Sequence, residues 1–486
     1  MASAGNLEWR VNLGDGTTEI LEAEASFGHK LVMGIKSLIM ELFVKCRKFL
    51  EKAGGIAKSE PKKGVHGLKV GLALTLVSIF YYMRPLYEGL GGSAMWAIMT
   101  VVVTFEYSVG ASLYKCVNRV VGTSLAGGLG IGVHWVAAEC GDRFEPIILG
   151  ISLFLLASAA TFSRFIPSVK SRFDYGAMIF VLTFCLVSIS SYRVDELLEL
   201  ARTRILTIAV GTAICLVVSM LVCPVWAGGQ LHSLLARNID KLADAIHGCI
   251  SEYFKDKDCP EMKNEDREDH ASKIQAYKCV LNSKASEESM ANFARWEPAH
   301  GRFGFRHPWK FYLEVGVAMR RCAYCIEALN GRLDSEIKAP ESLKLHLATP
   351  CKALSSCCSK VFKELSTVIK TMKKSNKIDF EVSDMNFAVQ ELQNTIKSLP
   401  MAVSLAEPNG ANGEATIPPL MELLSLATLV SLLIETASRI EHVVNAVEKL
   451  ADVAKFDFAD DEKKKSNPSS DNRDHHHAAM KVFPEA

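Results

Sequence analysis

Two arginines interrupt sequence that is otherwise apolar. Arg119 opens "RVVGTSLAGGLGIGVHW" (119–135), and Arg204 opens "RILTIAVGTAICLVVSMLV" (204–222). A guanidinium stays charged at every accessible pH. Inside a bilayer such a group is costly and faces water, a cavity or a partner, although an arginine at a helix end can also snorkel to the cytoplasmic edge. The placement of the pair favours the first reading. "AMWAIMTVV" (94–102) is echoed by "AMIFVLTFC" (177–185); Arg119 follows Thr100 by nineteen residues, and Arg204 follows Thr183 by twenty-one. Each arginine then leads into a Gly-Thr pair, Gly122-Thr123 and Gly211-Thr212. The pattern suggests a duplicated three-span unit, an arrangement that places sites at the repeat interface. The spans hold no acidic partner for either arginine. A mobile anion is then the natural counter-ion, which is the chemistry of an anion pore.

Other chemistries find less support. Gly122, Gly127, Gly128, Gly130 and Gly132 are followed by no Lys-Ser or Lys-Thr and preceded by no strand, so they read as small residues for close helix packing and not as a phosphate cradle. The missing nucleotide motif argues against an ATP-driven pump. No nucleophile elbow, HExxH or paired-carboxylate signature is present, so the chain is not read as an enzyme. The fourteen cysteines are scattered as reduced thiols, and Cys322–Cys325 has no second pair at zinc spacing. His300 and His307 flank a turn in "WEPAHGRFGFRHPW", with Glu297 the one carboxylate near them. That segment reads as a structural loop packing Trp296, Phe303, Phe305 and Trp309 on a bundle. His475, His476 and His477 read as solvated. No metal or cofactor is expected.

The elements that must position the arginines follow from hydropathy. A net charge of +1 gives no sign of a nucleic-acid partner, and a mean hydropathy of +0.15 is high for a soluble chain. Six apolar segments, about 68–83, 93–113, 120–138, 146–163, 175–191 and 205–226, have nearly the length needed to cross a bilayer. Lys58, Lys62, Lys63, Lys69, Lys115, Arg119, Arg164, Lys170 and Arg172 lie on one set of joints, and Glu88, Glu139, Asp142, Glu145, Asp195, Glu196 and Glu199 on the other, where Arg84, Arg143, Arg193, Arg202 and Arg204 dilute the contrast. The positive-inside rule then puts both termini in the cytosol. Residues 1–30 hold no apolar signal region, and 31–53 alternate apolar and basic positions as a helix on the inner membrane surface or packed on the C-terminal domain would. Beyond 227, helical periodicity such as Leu231, Leu234, Leu235, Ile239 and Leu242 predicts a bundle. The apolar stretch 423–434 is expected in its core or at a dimer contact, 405–419 as a loop, and 459–486 as a disordered tail. The fold expected is an all-α membrane protein: a cytosolic segment with an amphipathic helix (1–63), six transmembrane helices forming a pore domain (64–228), a cytosolic helical domain (229–458) and the tail (459–486).

Six stretches carry a resemblance to the plant aluminium-activated malate transporters, which are anion channels: "HGLKVGLALTLVSIFYY" (66–82), "AMWAIMTVVVTFEYSVGASL" (94–113), "NRVVGTSLAGGLGIG" (118–132), "DYG" (174–176), "VCPVWAG" (222–228) and "WEPAHGRFGFRHPWKFY" (296–312). The resemblance implies passive transport of malate and inorganic anions through one central pore shared by a homodimer. It also implies that basic residues of the third and sixth spans line the path; Arg119 and Arg204 stand at those places, with Lys115, Arg164 and Arg202 as secondary pore candidates. An ion-coupled organic-anion transporter is the alternative, and Glu106 is the carboxylate that could serve it. Family members occupy either the plasma or the vacuolar membrane, and the plasma membrane is the one expected here. Glu88, Asp195 and Glu199 could form an outer cation-sensing lip, or a solvated acidic rim balancing Arg193, Arg202 and Arg204.

Overall fold

The computed structural model describes residues 9–12, 18–21, 27–83, 94–141, 143–190, 197–255, 270–333, 341–405 and 420–458. The chain divides into a small unit, residues 1–72, and a large one, residues 73–486. The small unit holds a hairpin that the sequence reading did not anticipate, β1 (Trp9–Asn12) and β2 (Thr18–Leu21), paired antiparallel from Trp9↔Leu21 to Asn12↔Thr18. It also holds the amphipathic helix α1 (Phe27–Ser59) and the start of α2 (Pro61–Tyr82).

Among the described residues, five helices are long and apolar enough to cross a membrane, which makes this an all-α, multi-pass integral membrane protein. They are α2, α4 (Val109–Glu139), α5 (Glu145–Ser163), α6 (Pro167–Ser190) and α7 (Leu197–Leu221). The second expected span is shorter. Its apolar helix α3 (Ala94–Thr104) ends where Ser108 caps α4, its hydroxyl accepting the Ala111 amide at 3.3 Å, while the Ser112 hydroxyl accepts the Glu106 amide at 2.9 Å. The expected 93–113 segment is therefore a helix, a tight turn and the first residues of the next helix. Lys115 and Arg119, expected on a joint, lie inside α4, which at about 1.5 Å per residue runs well past a bilayer core.

Two close crossings organise the spans. A Cβ added at Gly122 would stand 2.7 Å from the Gly176 carbonyl, and one at Gly176 would stand 2.7 Å from Asn118 Oδ1, so α4 and α6 meet backbone to backbone. A Cβ at Gly211 would stand 2.8 Å from the Ala97 carbonyl, so α7 meets α3 in the same way. The third span thus lies against the fifth, and the sixth against the second. Gly130 abuts Val187, as the packing reading requires, but Gly127, Gly128 and Gly132 face open space.

The C-terminal half is a helical bundle of α8 (Ala227–Tyr253), the short α9 (Tyr277–Leu281) and α10 (Lys284–Ala294), then α11 (Trp309–Leu333), α12 (Glu341–Thr371), α13 (Lys377–Leu405) and α14 (Leu420–Val453). Leu426, Leu429, Leu433, Ile440 and Val447 line the buried face of α14 at helical spacing, so the 423–434 stretch enters the core. Two-residue strands β3 (Lys373–Lys374) and β4 (Asp457–Phe458) pair in parallel and tie the end of α14 to the end of α12. Glu88, Asp195 and the tail, with its histidines, lie outside the described residues, as do the side chain of Glu199 and all but the first residue of the expected 405–419 loop.

Candidate functional site

The site forms where α4 is gripped by α3, α6 and α7. Asn118 locks α4 onto α6 by donating from Nδ2 to the Tyr114 carbonyl (2.8 Å) and the Arg172 carbonyl (3.2 Å). The next residue, Arg119, is only 7% exposed. Its Nη1 donates to the Tyr175 hydroxyl at 3.3 Å, and its Nε has no hydrogen-bond partner. Lys115 lies over the face of the same tyrosine, 5.5 Å from the ring centre, and donates to the Val103 carbonyl at 3.3 Å while pairing with Glu106. Tyr175 thus serves two cations at once, one through its oxygen and one through its ring.

Arg204 is held differently. Its guanidinium stacks 4.3 Å from the centre of the Trp96 ring, and its Nε also has no hydrogen-bond partner. Among the described residues neither arginine makes an ion pair. Contacts across the group fix the relative levels: Cys116 of α4 meets Cys215 of α7, with Thr104 of α3 beside both. Counting along the helices from that level at about 1.5 Å per residue, Arg119 and Arg204 are offset by roughly 10 Å along the span direction. They form two cationic stations at different depths, Arg119 nearer the bundle.

The secondary candidates separate. Lys115 joins the cluster, Arg202 is exposed, and Arg164 is committed elsewhere. Its Nε and Nη2 reach both oxygens of Asp174, at 2.8 and 3.3 Å, across the turn between α5 and α6. This forked pair removes Arg164 from the set of available cations.

Below the cluster, the membrane helices meet the bundle. Tyr114 packs against Phe293 and Trp296, with ring centres 5.8 and 5.6 Å away. Trp296 therefore packs on α4 and not on the bundle, and Phe305 is 73% exposed; Phe303 and Trp309 pack on the bundle core as expected. The Glu297 carboxylate is buried between two helix starts. Oε1 accepts the amides of Gly110 (3.2 Å) and Ala227 (2.6 Å), and Oε2 accepts the amide of Gly228 (3.0 Å). One side chain caps both α4 and α8, satisfying amides that helix starts leave unpaired and meeting the positive ends of two helix dipoles. The Val109 amide adds a bond to the Val225 carbonyl at 2.9 Å. Burial pushes the Glu297 carboxyl above its ordinary pKa, with the three amides and His300 pulling against it. His300 stacks on Trp226 with ring centres 3.9 Å apart. The Tyr312 hydroxyl bridges His232 Nδ1 and His307 Nε2, each 3.1 Å away, and burial lowers both histidines to about 4.

Arg119, Arg204 and Lys115 could be found by type and position. Trp96 and Tyr175 could not, because their roles arise from contacts across helices; Glu297 could be seen but not its partners.

Against known proteins, the family described as Aluminium activated malate transporter matches residues 55–417. Aluminum-activated malate transporter 10 of Arabidopsis thaliana is 53% identical over 95% of this chain and 96% of its own length. Aluminum-activated malate transporter 2 of the same plant is 44% identical over 85% of this chain and 79% of its own. Aluminum-activated malate transporter 1 of Triticum aestivum is 40% identical over 88% of this chain and 90% of its own.

Proposed function

This chain belongs to the aluminium-activated malate transporter family, and on that premise we propose that it is a channel through which malate and inorganic anions cross a membrane passively. One observation carries the reading: two buried or half-buried guanidiniums, each with an unpartnered Nε, are held by a phenol and an indole and not by carboxylates. Neutral partners fix a cation in place without cancelling its charge, so each station can attract a passing anion and release it. Moving one charge through about 100 mV is worth roughly 2.3 kcal/mol. A malate dianion leaving a negatively polarised compartment gains about twice that, and no coupled ion is required.

The proposed assembly is a homodimer around one central pore, in the plasma membrane, with both termini cytosolic. Lys58 just before α2, and Lys62 and Lys63 in its first turn, support that orientation. A fluorescent fusion imaged in plant cells tests the membrane, and crosslinking of the purified protein tests the dimer.

The coupled-transporter reading depends on Glu106, whose pairing with Lys115 gives it a local role without a proton or sodium ion. Patch-clamp recording separates the two. Anion current above carrier turnover, reversing where the malate gradient dictates, supports the channel. A reversal potential that tracks pH would establish coupling instead.

A further inference from the structure

The apolar face of α1 is uncovered. Ile35, Leu38, Leu42, Phe49, Leu50 and Ile56 recur at helical spacing on one side, and each is between 47% and 71% exposed. The other side carries most of the charge: over residues 34–59 there are six cations, Lys36, Lys45, Arg47, Lys48, Lys52 and Lys58, against two carboxylates, Glu41 and Glu51. Met40 and Val44 interrupt that charged side. Both carboxylates are already engaged, Glu41 with Lys45 at 2.7 Å and Glu51 with Arg47 at 2.9 Å. The surplus is therefore positive.

The junction with α2 places this surface. α1 ends at Ser59 and α2 begins at Pro61, and the turn between them is ordered: the Glu60 amide donates to the Ile56 carbonyl at 2.8 Å, the Lys63 amide to the Glu60 carbonyl at 3.0 Å, and Lys63 pairs with Glu60 at 2.8 Å. Since α2 has the length and hydropathy of a membrane span, its N-terminal end sits at a bilayer surface, and α1 is tethered there by one residue.

We propose that α1 is an interfacial helix that docks on anionic phospholipid headgroups of the leaflet at which α2 begins. Its apolar face lies in the headgroup–acyl boundary and its lysines and Arg47 reach the phosphates. Length, a wide apolar stripe and a cationic opposite face are what this mode of binding needs, and the excess of cations selects negatively charged over zwitterionic lipid. The proposal is independent of whether transport is channel-like or coupled.

The test is hydrogen–deuterium exchange on the full-length protein in nanodiscs of phosphatidylcholine alone and of phosphatidylcholine with about one-third phosphatidylserine. Amides of 34–59 are expected to exchange at least about tenfold more slowly in the anionic discs, with the amides of α8 unchanged. Lys48→Gln combined with Lys52→Gln, which keeps helix propensity, is expected to abolish most of that difference, because each cation near such a surface contributes about fivefold. Phe49→Ser is expected to raise exchange in both discs. Equal protection in the two lipids would overturn the headgroup assignment. So would protection that follows protein concentration and not lipid charge, since a second copy would then be covering α1.

Discussion

Charge removal at the two stations should act in proportion to the charge of the anion. In Arg119→Gln and Arg204→Gln a permeating anion that passed a guanidinium at about 5 Å loses that attraction. At an effective dielectric of about 20 the interaction is about 3.3 kcal/mol per unit of anion charge, and mobile ions in a wet pore reduce it to roughly half. A monovalent anion such as chloride should then lose roughly tenfold in occupancy at the station, and a malate dianion roughly hundredfold. The assay is patch-clamp current in symmetrical chloride and in symmetrical malate at low concentration, with surface expression measured in parallel. The malate-to-chloride conductance ratio should fall about tenfold in each variant. Arg119→Glu and Arg204→Glu should carry no malate current at all, at normal surface expression. An equal loss of both currents in the glutamine variants would mean that the arginines hold the fold and not the anion. Unchanged currents would remove them from the path.

Further outcomes follow from the packing. Glu297→Gln places an amide nitrogen or a single neutral acceptor against three backbone N–H groups, and unfolding of the purified protein should show a loss of about 3 kcal/mol. Gly122→Ala pushes a methyl against the Gly176 carbonyl and should lower thermal stability by about 1–3 kcal/mol, whereas Gly127→Ala, which meets open space, should not. His232 and His307 are depressed to about 4, below their unfolded value of about 6.5. The unfolded chain therefore binds more protons in between, and bundle stability, complete above about pH 6.5, should decline as the pH falls toward 4; denaturant midpoints at pH 7.5 and 5 read this directly, and Tyr312→Phe should change the profile. Aluminium added outside at acid pH should raise the current little or not at all. A several-fold activation abolished by Asp195→Asn or Glu199→Gln would make that acidic rim a cation sensor.

How much could be read in advance depended on the range of each interaction. Arg119 and Arg204 stood out because a charge in an apolar run is a local anomaly. The α3–α4 break was missed because only Phe105 to Ser108 mark it, and the capping hydroxyl of Ser108 weighs little in a hydropathy window. Arg164 looked like a free cation because Asp174, ten residues away, reaches it only once α5 and α6 fold against each other. The glycine run read as uniform packing, yet Gly122 and Gly130 face neighbours while Gly127, Gly128 and Gly132 do not, since helix phase alone cannot say which neighbours exist. Nothing in the sequence marked Tyr175 and Trp96 as partners of the arginines, since they are ordinary aromatics until α6 packs on α4 and α3 on α7.

The carboxylate between α4 and α8 has a geometric consequence. It fastens the start of the Arg119 helix and the start of α8, which follows the Arg204 helix along the chain, to the same point, so neither start can pivot without the loop that carries Glu297. Arg119 is nine residues beyond Gly110, whose amide the carboxylate holds, about 13 Å of lever arm. A swing of only about 5° at the bundle would displace the guanidinium by a little over 1 Å, about the margin between a hydrogen bond kept and one lost. Small rotations where the bundle meets the membrane helices therefore reach the first cationic station as a change in its hydrogen bonding.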